Sequence, residues 1–409
     1  VAYRAFASAL AALILSAASA FAEPKTVTVW HVFNLDTDMI HGGIKGFNAA
    51  QNDFRVEPRL VPGPQIVNEL IKAIATGSVP DLVTLDNPVV ANFSAEGTLT
   101  DLTDRVAKST LVKPAVYLPG PWASILWKGR IFGVPRDANT IALYYNADMF
   151  RAKGLDPDHP PQTWSALMAA AQKLRDPEKG VYGFGFCATQ NEEGPFQWLP
   201  FLYQSGGSID KLDRPEAAAA LQFWVDLVNK GVATRDVLNM RQYEVANTFI
   251  AGGTAMVLGG PWELPRMQRD AKFEWRLALL PVKDGSNVRA SSLGGYDYVI
   301  PKGAKEVDGA FRFIEYMSQQ KVLTEGWKTG RLPPRTDIEV KDPLWPQAYE
   351  MYHEQVKTAR ARGPHPEWPE ISRAIQIAIQ EALTGTKPAD AALKEAADKI
   401  APILAKTPL

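Results

Sequence analysis

The chain has 409 residues, 44 lysines and arginines against 45 aspartates and glutamates, 46% hydrophobic residues and a single cysteine. A formal charge of -1 offers no electrostatic footprint for a phosphate backbone or an anionic membrane, so nucleic acid is not an expected partner. Such a length buries two or three domain cores of roughly 100 to 200 residues each, and Cys187 alone excludes an intramolecular disulfide.

In residues 1–22 the only charge is Arg4, an apolar stretch runs through Leu15, and Ala20-Phe21-Ala22 closes the segment. That is the pattern of a cleaved signal peptide. Its strongly apolar part, residues 10–15, is far shorter than the roughly 20 residues that span a bilayer. No cysteine follows the cleavage position to carry a lipid. The expected mature protein is soluble, without a lipid anchor, and periplasmic.

From Lys25 onward, short β-branched runs alternate with amphipathic helical patterns, which predicts an α/β fold. Strands are expected at 26–30, 81–85, 141–145, 254–258, 276–281 and 296–300. Helices are expected at 40–51, 66–76, 164–174 with Thr163 as N-cap, 215–229 with Pro at its start, and 309–317. The C-terminal part reads as helices at 346–361, 370–383 closed by Gly385, and 388–401. In these helices Leu221 and Trp224, and Ile371, Ile375 and Ile379, fall on single apolar faces and are read as core.

Catalytic and cofactor motifs are missing from the sequence. The five histidines, at 31, 41, 159, 353 and 365, have no metal-ligand spacing. There is no phosphate-binding Gly-x-x-x-x-Gly-Lys-Ser/Thr loop and no Gly-x-Ser-x-Gly elbow. Gly183-Phe184-Gly185-Phe186-Cys187-Ala188 mimics a dinucleotide fingerprint, but aromatics fill its variable places and Pro195 follows too soon for a helix opening behind it. It is read as an apolar strand-like run, with Cys187 as a buried thiol. No cofactor and no metal are expected. A secreted glycosidase would need two acids flanking a glycosidic bond. The adjacent pair Glu192-Glu193 reads as a solvated loop face, and Asp86, Asp137 and Glu263 stand as isolated acids. Several tryptophans, Trp30, Trp122, Trp198, Trp262 and Trp368, lie beside predicted strand ends or turns, where open α/β sheets bind ligands. Flat aromatics and planar polar groups suit the C–H faces and hydroxyls of a carbohydrate.

Several strings resemble the extracellular solute-binding proteins of ATP-driven sugar importers, the group that includes maltose-binding and glycerol-3-phosphate-binding proteins. They include Val29-Trp30-His31, Gly77-Ser78-Val79-Pro80-Asp81, Gly133-Val134-Pro135, Gly259-Gly260-Pro261-Trp262, Leu293-Gly294-Gly295 and Trp368-Pro369-Glu370. The resemblance implies a type II two-lobed periplasmic binding fold with a hinged cleft. It places residues 23–135 and 263–320 in an N-terminal lobe, and 136–262 and 321–409 in a C-terminal lobe. It implies a monomeric, non-catalytic receptor that delivers a sugar or polyol to the membrane permease of an ABC importer. The ligand contacts it suggests are Asn34, Asp86, Asn139, Phe196 and Trp198 in a second-lobe loop, Trp262, Gly295 and Arg331. Asn139 and Ile375 depart from the glutamate and stacking tryptophan of the maltose-binding relatives. Arg331 is open to two readings, an anion contact or a solvated side chain; the former would suit a glycerol phosphate or phosphodiester ligand.

Overall fold

The computed structural model describes residues 23–34, 38–341 and 345–409. The signal-peptide expectation at 1–22 lies outside the described residues. The chain opens with β1 (Lys25–His31), which runs parallel to β2 (Phe54–Leu60) and β3 (Leu82–Asp86). Helices α1 (Met39–Ala50) and α2 (Ile66–Thr76) make the crossovers. The Asp38 carboxylate caps α1 by accepting the Ile40 N–H at 3.0 Å. Gly77, at φ 68°, closes α2 in the left-handed conformation. Strand β2 was not among the expected strands. Only Phe54 and Val56 are buried in it and Pro58 lies within it, a composition that suits an edge position.

After β4 (Val134–Pro135) the chain crosses to a second sheet through residues 136–141. There β5 (Ala142–Asn146), buried throughout, lies between two antiparallel partners, β6 (Met256–Gly259) and β7 (Trp275–Ala278). Between β5 and β6 come α3 (Trp164–Leu174), α4 (Glu193–Gln204), α5 (Pro215–Asn229) and α6 (Gln242–Ile250). Thr163 caps α3 as expected, its hydroxyl accepting the Ala166 N–H. Helix α7 (Leu264–Asp270) separates β6 from β7.

The chain then recrosses through β8 (Ser291–Leu293), and β9 (Tyr296–Val299) inserts antiparallel between β3 and β4. This completes a first sheet of order β2-β1-β3-β9-β4. Helices α8 (Val307–Met317), α9 (Gln320–Trp327) and α10 (Pro346–Lys357) follow, then β10 (Ala359–Ala361), α11 (Trp368–Thr384) and α12 (Ala389–Lys406). The helix expected over 346–361 stops at Lys357 because residues 359–361 pair in parallel with β8. Leu221, Trp224, Ile371, Ile375 and Ile379 share the core of the second lobe, as their stripes predicted.

Sheet pairing corrects the expected lobe boundaries. Segment 263–320 carries β7, which pairs with β5 in the second sheet, so that segment is divided between the lobes. Helix α9, expected in the second lobe with 321–409, packs against α1 of the first, where Met39 Sδ would lie 2.7 Å from a Cβ on Gly326.

Candidate ligand-binding cleft

The crossings between the two sheets touch backbone to backbone. Asn139 and Gly294 exchange N–H to carbonyl bonds of 2.9 Å in both directions, and the Ala138 N–H reaches Leu332 O at 2.9 Å. Beyond them opens a cleft of about 680 Å³. It is lined by Phe33 and Asn34 after β1, Asp86 at the end of β3, and Trp262 after β6. The carboxyl ends of strands are where open α/β sheets gather their ligands.

Aromatic rings form one wall. Trp262 sits in the short turn Pro261–Glu263 that follows β6. Gly260 is required there, since a Cβ on it would fall 2.0 Å from the indole ring. The Phe196 ring, in the first turn of α4, lies 6.4 Å from the Trp262 ring at an interplanar angle of 42°. The Arg362 guanidinium stands 4.8 Å over Phe196. Across the cleft, Phe33 meets Tyr296 edge-on at 4.7 Å.

Every arginine that lines the cleft faces a carboxylate. Arg362, buried beside β10, donates through Nη2 to both oxygens of Asp86 at 2.9 and 3.1 Å, and through Nη1 to Glu192 at 3.0 Å. It thereby ties a first-lobe acid to a second-lobe acid. Arg331 donates to Asp38 at 3.0 Å, and Asp38 also pairs with the buried Arg136. Arg241 donates to Glu193 at 2.6 and 2.9 Å. Arg269 pairs with Asp270 at 2.7 Å, and Arg266 stands 3.4 Å from Glu263. The cleft is thus rich in charge and close to neutral.

Of the expected contacts, Asn34, Asp86, Asn139, Phe196, Trp262 and Arg331 all border this space. Trp198 does not. It lies on α4, not in a loop, and is fully buried in the second-lobe core. Pro195 and Pro200 had disguised that helix, whose residues 194–204 are all buried. Gly295 is absent from the lining as well. Its carbonyl accepts the Asn87 N–H at 3.0 Å, and at φ 140° a Cβ would sit 2.4 Å from Asp137 O. Its role is to let two crossings approach. Trp30, Trp122 and Trp368 also stay out of the lining. Trp368 is buried and donates its indole N–H to Glu192 at 3.2 Å.

The pair Glu192-Glu193 is no solvated face, because both carboxylates are ion-paired at the cleft. Arg362 is the main residue that sequence reasoning left unplaced. Arg360 stands two residues before it, and nothing in the sequence chooses between the two. The fingerprint-like run 183–188 lies beside the second sheet, with Gly185 bridged to Val257. Burial pushes the Cys187 thiol up to about 12, so it is no nucleophile. Among the described residues no group of three His, Cys, Asp or Glu could hold a metal, and no helix is long and apolar enough to cross a membrane.

Two α/β lobes, laced by crossing segments and holding a polar, aromatic-walled cleft between them, define a hinged solute receptor. The chain belongs to the bacterial extracellular solute-binding protein family, whose model matches residues 44–354. This is a family of binding proteins, not of enzymes. An ABC transporter solute-binding protein from Thermotoga lettingae, bound with alpha-D-tagatose, superposes with a TM-score of 0.85. It is 29% identical and covers 93% of this chain and 100% of its own. A maltose-bound protein from T. maritima gives 0.84 at 26% identity, with 93% and 100% covered. The sn-glycerol-3-phosphate-binding periplasmic protein of Escherichia coli is 25% identical over 354 residues, 81% of this chain and 78% of the relative.

Proposed function

We propose that the protein is a periplasmic receptor that encloses a neutral, polyhydroxylated solute, a sugar or polyol, and delivers it to the permease of an ABC importer. One observation carries the choice of ligand. All five lining arginines face carboxylates, beside a wall formed by Phe196 and Trp262. At the buried pairs of Arg331 and Arg362, a phosphate would need a cation released from its partner, and breaking such a pair strands a charge. A neutral sugar needs only donors and acceptors, which paired arginines and carboxylates still offer, together with a ring to stack on. The tagatose-bound and maltose-bound structures support this reading over that of the glycerol-3-phosphate-binding relative. Contact with the permease through both lobes, and a monomeric state, belong to the same proposal.

A thermal-shift series with D-tagatose, maltose, ribitol and glycerol 3-phosphate tests it. A neutral ligand at 100 times its dissociation constant adds about 2.7 kcal/mol of stability. Stabilisation by glycerol 3-phosphate alone, weakening as salt is added, would overturn the neutral-ligand reading.

A further inference from the structure

The cleft carries an aromatic ring that belongs neither to the wall of Phe196 and Trp262 nor to the pair of Phe33 and Tyr296. Tyr243, in the first turn of α6, borders the cleft and is 47% exposed. A single exposed ring is ordinary on a protein surface, but this one is held in place from two sides. Glu193, one turn before Phe196 on α4, accepts the Gln242 N–H at 2.7 Å and the Arg241 guanidinium at 2.6 and 2.9 Å. Arg266 of α7 donates through Nη2 to Tyr243 O at 3.3 Å and to Asn247 Oδ1 at 2.8 Å, while its Nε stands 3.4 Å from Glu263, the residue after Trp262. The backbone of Tyr243 is thus tied to the helix that bears Phe196 and to the turn that bears Trp262. Its ring stays largely open. The hydroxyl bonds at the outer limit, to Glu244 at 3.4 Å, and the Arg241 guanidinium lies 5.8 Å from the ring centroid.

We propose that Tyr243 is the platform of an outer sugar subsite, and that the ligand of the cleft is an oligosaccharide of at least two rings, one against Trp262 and Phe196 and the next against Tyr243. The inference rests on the sugar reading of the cleft and adds a chain length to it. The space agrees: about 680 Å³ falls within the roughly 300–1,000 Å³ of sites that take molecules larger than one hexose. Arg241 and Arg266, both in the lining, supply N–H donors beside the ring, where the hydroxyls of a second sugar would meet them. The first lobe lines the same space with Pro62, Gly63 and Pro64, which offer C–H surface and no side-chain donor. A monosaccharide seated on Trp262 leaves Tyr243 in solvent. An oligosaccharide covers it, and the apolar face of its second ring gains an aromatic partner.

Calorimetric titration with matched sugars tests this, because the added ring is then the difference that is read. Glucose is compared with maltose and maltotriose, and mannose with mannobiose, with D-tagatose and ribitol as further single-unit probes, on the wild type, Tyr243→Ala and Tyr243→Phe. At least one longer sugar should bind about tenfold more tightly than its own monosaccharide. Tyr243→Ala should abolish that gain and leave the affinity for single units unchanged, whereas Tyr243→Phe, which retains the ring, should keep it. The position is exposed, so all three proteins should melt alike. A second ring that adds no affinity, or a gain that survives in Tyr243→Ala, overturns the outer subsite, while a bound monosaccharide or polyol still upholds the sugar reading. Binding of nothing in the panel counts against the sugar reading itself, and the subsite falls with it.

Discussion

At the residue scale, Trp262 is the side chain whose substitution separates binding from folding. It is only partly buried, and it packs against the second-lobe core from the cleft side. Trp262→Ala is expected to weaken sugar binding at least about 30-fold, the loss of a hot spot of about 2 kcal/mol. Melting of the same variant should show far less than the 3–5 kcal/mol cost, roughly, of emptying a buried aromatic site. Intact affinity with a collapsed melting temperature would instead make Trp262 a core residue. Glu263 adds a signature in stability. Its carboxyl sits near 7 when folded, against an ordinary 4.5, so between those values the folded protein holds a proton that the unfolded chain has lost. Its contribution to stability is therefore full below about pH 4.5 and declines as pH rises toward 7, by at most about 1.4 kcal/mol per pH unit. Glu263→Gln should flatten that decline in urea titrations across pH 5 to 8; an unchanged slope would assign it to other groups. Much of the site was legible in the sequence because aromatic and amide residues beside strand ends carry their own signal. The ion pairs were not. Glu192 and Arg362 lie 170 residues apart and meet only through the fold, so neither spacing nor periodicity encodes their contact.

At the scale of elements, the places where periodicity failed have identifiable physical causes. Helix α4 is buried on all sides, so no polar face alternates with an apolar one, and its prolines mimic loop punctuation. Strand β10 continues directly from α10 and is short, and only its pairing with β8 reveals it. Helices such as α3 and α5, by contrast, carry caps or an initial proline and one-sided stripes, and they match expectation to the residue. Gly295 shows how a position can be read correctly as special for the wrong reason. Its sequence context suggested a ligand contact, whereas its backbone, at φ 140°, accommodates Asp137 O where a side chain would not fit. Gly295→Ala is expected to cost about 1–3 kcal/mol in denaturant unfolding. It should also disturb ligand affinity through the displaced crossing. A variant as stable as the wild type would mean that the two crossings can part without penalty.

At the scale of the whole molecule, Arg362 joins Asp86 of one lobe to Glu192 of the other, so the cleft holds an ionic tie besides any ligand. A ligand enclosed between lobes should lower the radius of gyration as the hinge shuts. Solution scattering with and without saturating sugar measures this, and equal radii would remove hinge closure while leaving the binding role intact. The sheet order holds a consequence of another kind. The first sheet is finished only when Tyr296–Val299 slides between Leu82–Asp86 and Val134–Pro135. The core of the second lobe draws on residues from Ile141 to Ile400. A chain emerging from its amino end therefore waits until Val299 before the first sheet can close and until Ile400 before the second-lobe core is complete, and until Val299 is made two unfilled strand edges face each other across a missing neighbour. Slow, late folding is thus written into the strand order itself.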